Sequence, residues 1–287
     1  MSAELPVFPG FFSFEVLKLN SAEIHPTAIV NESASIGKGV VIGPYCMVGA
    51  GVELGDNVEL ISHVCVAGNT RIGQDTQIYP FASVGHSPQD LKYHGEDSWL
   101  KIGARCTIRE NVTINPGTQG GGMETRIGDD CLLMANSHIA HDCRVGNNVI
   151  LANYVGIAGH AIIEDFVTFG GICVVRQHVH VGAHAFVGAQ SMVEGDVIPY
   201  GMAVGNRARL AGLNLVGLKR RKFNREDIHA LRTAYRMIFS AEGTFRERVK
   251  DAADLFDSNN LVQDVVSFLT EASGRAICMP RNGSSGD

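Results

Sequence analysis

An aliphatic residue recurs at every sixth position through most of this 287-residue chain, and no other feature restricts the fold as much. The series runs Ile24, Val30, Ile36, Ile42, Val48, Leu54, Leu60, Val66, Ile72, Ile78 and Val84. It resumes in phase at Ile102, Ile108 and Ile114, shifts phase once at Ile127, and continues to Val193. A helix repeats every 3.6 residues and a two-faced strand every two, so neither produces a period of six. The hexapeptide repeat builds a parallel β-helix instead. Each hexad is one short strand and one corner, and three hexads close a triangular coil. Coils then stack at the strand spacing of ~4.8 Å.

In such a coil only the first and fifth places of each hexad point inward. The core is therefore narrow and wants small or β-branched side chains. This matches a chain with 33 Gly, one Trp and only 7% aromatic residues. Five of the seven cysteines, Cys46, Cys106, Cys131, Cys143 and Cys173, fall on the fifth place, where a small apolar group is wanted. Cys65 and Cys278 complete an odd set without a CxxC pair, which argues against a disulfide framework or a structural zinc.

Two stretches break the period. Residues 84–101 are polar and contain Pro88 and Gly95, and residues 115–126 are rich in Gly; both are expected to project as loops. Beyond residue 206 the period ends. Asn224 is a candidate helix cap with Asp227 in the first turn, followed by Ile228, Leu231, Tyr235 and Ile238 on one face. Further helices are expected near 244–256 and 261–272. The chain thus divides into an extension (1–21), the β-helix (22–206), a helical unit (207–275) that would also cover the open end of the coil, and a tail (276–287) expected to be disordered.

The net charge of −6 is unevenly spread. Residues 1–206 carry ten basic and twenty acidic side chains, whereas residues 207–250 carry twelve and four. The basic segment is either a solvated helix face or a surface for an anionic partner. A net acidic chain is a poor candidate for general nucleic-acid binding, so an acidic protein or a phosphorylated small molecule fits better. No apolar run approaches the ~20 residues that span a bilayer. Residues 1–20 hold Phe8, Phe11, Phe12 and Phe14 but no early basic cluster, so a signal peptide is not expected and a cytoplasmic protein is.

Histidine offers the chemistry. His141 and Asp142 occupy the third and fourth places of the hexad that begins at Ile139. Steps of 18 residues from Asp142 reach His160, His178 and Asp196, predicting one column at one corner, with His141 beneath Gly159. The bland alternative is a ladder of corner charges. A carbonic-anhydrase-like zinc site would want two His five residues apart, and none are. A His general base beside Asp142 is the better candidate. A covalent Ser or Cys nucleophile has less support, because no GxSxG elbow occurs and the cysteines face inward.

Three motifs carry a resemblance: QDLKY (89–93), NSHIAHDCRVGNNVILANYVGIAGH (136–160) and GLKRR (217–221). In this order they resemble the UDP-N-acetylglucosamine O-acyltransferases, which open lipid A synthesis. The resemblance implies a left-handed β-helix, a homotrimer with sites between subunits, and 3-hydroxyacyl transfer from acyl carrier protein. It implies His141 as general base, Asp142 as its orienting partner and Gly159 as the N–H donor to the oxyanion. His138 and His160 would contact sugar phosphate and pantetheine. Gln89, Asp90 and Lys92 would contact the sugar nucleotide, with Gln177 also in the substrate site, and Asn214, Arg220 and Arg221 would hold nucleotide and phosphate. The basic 207–250 segment would meet the acidic carrier protein. Ala189 matches the position that limits acyl length. No cofactor or metal is implied beyond the phosphopantetheine of the donor. Arg176, Arg207, Val216 and the pair Asn115–Pro116 depart from the family pattern. Family variants that acylate a 3-amino sugar, other hexapeptide acyltransferases and a silent scaffold are the alternatives.

Overall fold

The structure is a computed structural model that describes residues 17–19, 22–272 and 275–280. Two-residue strands follow one another at six-residue steps, and each pairs in parallel with the strand one coil away, as in Ile24↔Ile42 and Val30↔Val48. Three sheets result, forming the three faces of a prism. The first face includes Val41–Ile42, the second Met47–Val48 and the third Glu53–Leu54. The chain visits them in that order in every coil.

Burial follows the hexad. Ile42, Leu60, Ile78, Ile108 and Leu151 at the first place, and Cys46, Val58, Cys143 and Val149 at the fifth, are at most 1% exposed. The fourth place turns the corner. It takes left-handed backbone in residues as varied as Tyr45, Asp142, His160 and His178 (φ 58°, 59°, 61° and 63°). A non-glycine residue gives up about 1 kcal/mol or more there, and Asn, Asp and His tolerate it best. Because fourth places lie one above another, their side chains form ladders. Tyr45, His63 and Phe81 stack at 5.0 Å intervals, and Phe166 and His184 at 4.7 Å.

Both projecting loops leave the same corner, between the second and third faces, in consecutive coils. They are shorter than the sequence suggests. Trp99–Ile102 and Glu124–Ile127 are four-residue strands, aligned with each other and with Asn69–Ile72. The wider strands square the third face where the loops are inserted.

The last coil departs from expectation. Val197 pairs with Val181, a step of 16 residues, and Ala203 with Val187 likewise. The helical unit also begins late: Arg209–Leu213 is a strand running antiparallel to Gly201–Val204. Residues 276–280 are an ordered strap with bridges Asp196↔Ile277 and Leu210↔Pro280, and Cys278 is buried. Hairpin and strap, rather than helices, therefore cover the end of the coil. Helical backbone has already bonded its own N–H and C=O groups and cannot satisfy an open sheet edge. The tail RNGSSGD and residues 1–16 lie outside the described residues. At the other end, Leu17–Leu19 pairs antiparallel with Ala22–Ile24.

Four helices follow: α1 (Leu215–Arg220), α2 (Arg225–Ile238), α3 (Phe245–Leu255) and α4 (Asn260–Glu271). Asn214, Asn224, Thr244 and Asn259 cap them, and Thr244 with Glu247 forms a capping box. Tyr200 donates to Asp264 of α4, and the Phe268 ring meets His180 at 4.6 Å, seating the helices against the prism.

Candidate active site

The two loops and the His141–Asp142 pair occupy one corner in three successive coils. Stacking alone brings them together. His141 Nδ1 lies 2.8 Å from Asp142 Oδ2, a contact between sequence neighbours that the left-handed turn at Asp142 makes possible. An ionised carboxylate only accepts, so Nδ1 carries the proton and Nε2 presents a lone pair. Nε2 is 3.8 Å from Asp90 Oδ2 on the first loop. The Asp142 side chain is entirely buried, while that of His141 is 17% exposed.

The second loop closes on Asp142 from the other side. The Thr118 N–H donates to Oδ1 at 2.8 Å and its hydroxyl to Oδ2 at 2.6 Å. The Asp142 N–H donates to Thr125 Oγ1 at 2.7 Å. A Cβ on Gly121 would lie 1.9 Å from the Asp142 carboxyl carbon, so only glycine fits there. No sequence signal singled out Thr118 and Gly121, in a loop whose composition says only that it bends, or Thr125, on the strand Glu124–Ile127 that follows it.

The histidine column is present as far as His178. His160 Nδ1 is 3.9 Å from Asp142 Oδ2, its ring meets His141 edge-on at 5.0 Å, and His178 stacks flat on it at 4.5 Å. Burial holds His160 below the ordinary histidine range, with Asp142 pulling the other way. Asp196 does not join. The 16-residue step places it over His180, whose N–H it accepts, and Arg275 pairs with its carboxylate. His138, on the strand before the corner, shares a 2.7 Å hydrogen bond with Thr113, and burial lowers its pKa.

Gly159 is one coil above His141. A Cβ there would lie 2.7 Å from His141 Cε1, so the missing side chain is the space that the ring occupies. Among the described residues its N–H has no hydrogen-bond partner. Cys143, next along the chain, points into the core, where burial pushes its thiol up to about 12, and it offers no nucleophile. Donor atoms of His141, Asp142 and His160 fall within 4.8 Å of one another. Both Asp142 oxygens already accept hydrogen bonds, Oδ1 from the Thr118 N–H and Oδ2 from the Thr118 hydroxyl and His141.

The remaining sequence candidates divide among the corners. Gln89 and Lys92 are exposed on the first loop, and Gln177 is exposed beside the column. Asn214 and Arg221 belong to the corner between the third and first faces. Asn214 caps α1 and donates to the His184 carbonyl, and Arg221 donates to the Phe166 carbonyl and lies 5.2 Å over its ring. Arg220 is exposed on α1, and Ala189 is exposed at the corner between the first and second faces. One chain therefore does not bring Asn214, Arg220, Arg221 or Ala189 to His141.

The hexapeptide transferase family described as "six repeats" matches residues 33–68 and 124–159. The family described as UDP N-acetylglucosamine O-acyltransferase, domain 2, matches residues 196–278. An acyl-[acyl-carrier-protein]–UDP-N-acetylglucosamine O-acyltransferase of Rhizobium etli is 49% identical over 93% of this chain and 98% of its own. The chain belongs to this family. A Methylobacterium radiotolerans relative of the same name is 60% identical over 71% of this chain and 75% of its own. Two UDP-N-acetylglucosamine acyltransferase structures superpose with a TM-score of 0.86. That from Moraxella catarrhalis is 42% identical and covers 89% of this chain and 99% of its own. That from Francisella novicida is 35% identical and covers 92% and 96%. The fold is thus the family's left-handed β-helix with a helical C-terminal unit.

Proposed function

We infer that the protein transfers a 3-hydroxyacyl chain from acyl carrier protein to the 3-hydroxyl of UDP-N-acetylglucosamine, the first step of lipid A synthesis. The observation that carries the reading is the Asp142–His141 pair packed against Gly159, whose N–H has no partner among the described residues. His141 Nε2 takes the proton of the 3-hydroxyl as its oxygen attacks the thioester carbonyl. The carbonyl oxygen becomes an oxyanion that the Gly159 N–H meets, a donor whose loss typically costs about 3 kcal/mol. Collapse breaks the C–S bond, and the His141 imidazolium returns its proton to the departing pantetheine thiolate. Asp142 stabilises that imidazolium and holds the ring's tautomer. The donor's phosphopantetheine supplies the thioester, and the chain contributes no cofactor of its own.

His138 and His160 flank this pair and serve as contacts to sugar phosphate and pantetheine, with Gln89, Asp90, Lys92 and Gln177 around it. The division of candidates among three corners supports a homotrimer, in which a neighbour's Asn214, Arg220, Arg221 and Ala189 complete the site. The basic 207–250 segment is the docking surface for the acidic carrier protein. Among the described residues no helix is long and apolar enough to cross a membrane, and a cytoplasmic setting belongs to this reading.

A mass-resolved transfer assay tests it. Purified protein is offered 3-hydroxyacyl carrier proteins with UDP-N-acetylglucosamine, and in parallel with its 3-amino analogue. An ester product is expected; product from the amino sugar alone would overturn the ester reading. Co-assembled His141→Ala and Arg221→Ala chains, each inactive alone, should recover part of the activity. Mixed trimers without activity would overturn the shared site.

A further inference from the structure

The Asp142 carboxylate is sealed from water, so every charge-stabilising hydrogen bond must come from the protein. Three donors reach it: His141 Nδ1–H, the Thr118 N–H and the Thr118 hydroxyl. Two of the three belong to one residue of the second loop. Oδ2 is shared between the hydroxyl and the imidazole, while the N–H on Oδ1 fixes the rotation of the carboxylate plane. Thr125 pins the Asp142 backbone, and the bare Cα of Gly121 lets the loop close over the carboxylate. The loop is therefore built onto the dyad rather than merely inserted beside it.

We propose that Thr118 is a positioning residue for the acyl transfer: it orients the Asp142 carboxylate and sets how strongly that carboxylate stabilises the His141 imidazolium. The proposal rests on the reading of His141 as the base. The titratable groups facing His141 are Asp142, Asp90 on the first loop, His160 one coil above and His138 on the preceding strand. Thr118 adds no charge to this set. It draws electron density from the oxygen that His141 uses. Removing its hydroxyl leaves Oδ2 a stronger acceptor toward the imidazolium and frees the carboxylate to turn.

The test is Thr118→Val, which keeps the N–H and the shape but not the hydroxyl, beside Thr118→Ser, which restores it. Thermal melting reports folding for both. The expected result for Thr118→Val is a fall in kcat of about 10- to 100-fold, a size typical of one lost charge-assisted hydrogen bond. KM for both substrates should stay within about twofold, and the acid limb of the kcat/KM profile should move to higher pH. Thr118→Ser should return both toward wild type. Wild-type kcat with an unmoved acid limb in Thr118→Val would overturn the proposal. So would Thr118→Ser as impaired as Thr118→Val, because the serine keeps the hydroxyl that the proposal makes responsible. His141→Ala separates this from the underlying reading: an active His141→Ala removes the base, and the proposal with it. An inactive His141→Ala beside an unaffected Thr118→Val removes the proposal alone.

Discussion

Replacing Gly159 with Ala adds one carbon at the point where two coils press on the site. That carbon would lie 2.7 Å from His141 Cε1, 2.8 Å from Nε2 and 3.2 Å from Nδ1. Ordinary contacts of this kind begin near 3.4 Å, so the ring must retreat by roughly 0.7 Å. It cannot do so and keep its 2.8 Å bond to Asp142, which is clamped from behind by Thr118. A misplacement of about 1 Å is worth on the order of 100-fold in rate. Gly159→Ala should therefore lower kcat by about 100-fold. Stability should fall by no more than about 1–3 kcal/mol, the size of one weakened hydrogen bond to a buried charged group. Gly159 has no left-handed backbone, and the substitution restricts the unfolded chain by about 0.4–1 kcal/mol in its favour. Alanine retains the N–H, so the loss would report ring position and not the oxyanion donor. Steady-state kinetics with the acyl carrier protein, run beside a urea melt, measure both. Gly156→Ala, with nothing within 4 Å of the added carbon, is the stability control. A Gly159→Ala enzyme with kcat within about threefold of wild type would refute the idea that this glycine exists to seat the ring.

Two further outcomes follow from other corners. Burial, reinforced by Arg221, pushes His184 down to about 4, so between that value and the ordinary 6.5 the unfolded chain binds more protons than the folded one. Stability should fall by about 1–2 kcal/mol as pH drops from about 6.5 to about 4, after allowance for the partial exposure of the ring. His184→Phe, which retains the stack with Phe166, should flatten that slope in pH-dependent melts, and an unchanged slope would assign it elsewhere. Ala189→Gly should move the acyl preference toward longer donors in a graded-length assay; an unmoved preference would leave Ala189 a plain corner residue.

The period of six made the prism, its inward places and its inert cysteines legible, because each hexad repeats the same local geometry. His141, Asp142, Gly159 and His160 were placed correctly relative to one another by counting in steps of 18, since register in a stacked coil is fixed by length. The same counting misplaced Asp196, because two residues are missing from the final coil and nothing in a stretch of ordinary side chains announces a shortened corner. The strand Arg209–Leu213 and the strap 276–280 were hidden for a related reason. They pair with an edge that exists only once the coil has been built, and a sequence read locally cannot see that edge. The clamp from Thr118 was illegible because a glycine-rich loop has no periodicity and its contacts are made across coils. Nor does the order of residues show that Arg221 and His141 stand at different corners until strands are assigned to faces.

The stack has one more consequence. Each coil bonds only to the coil before and the coil after it, and the His141 corner lies well inside the pile. Fraying that begins at the Ala22–Ile24 end, or at the hairpin and strap, must unzip intervening coils one at a time before it reaches the His141 corner. Amide exchange should accordingly be graded along the axis, fast at both ends and slowest around the coils of Ile139 and Ile157. Order can then be shed at the two ends of the stack while the corner of His141 and Asp142 stays in register.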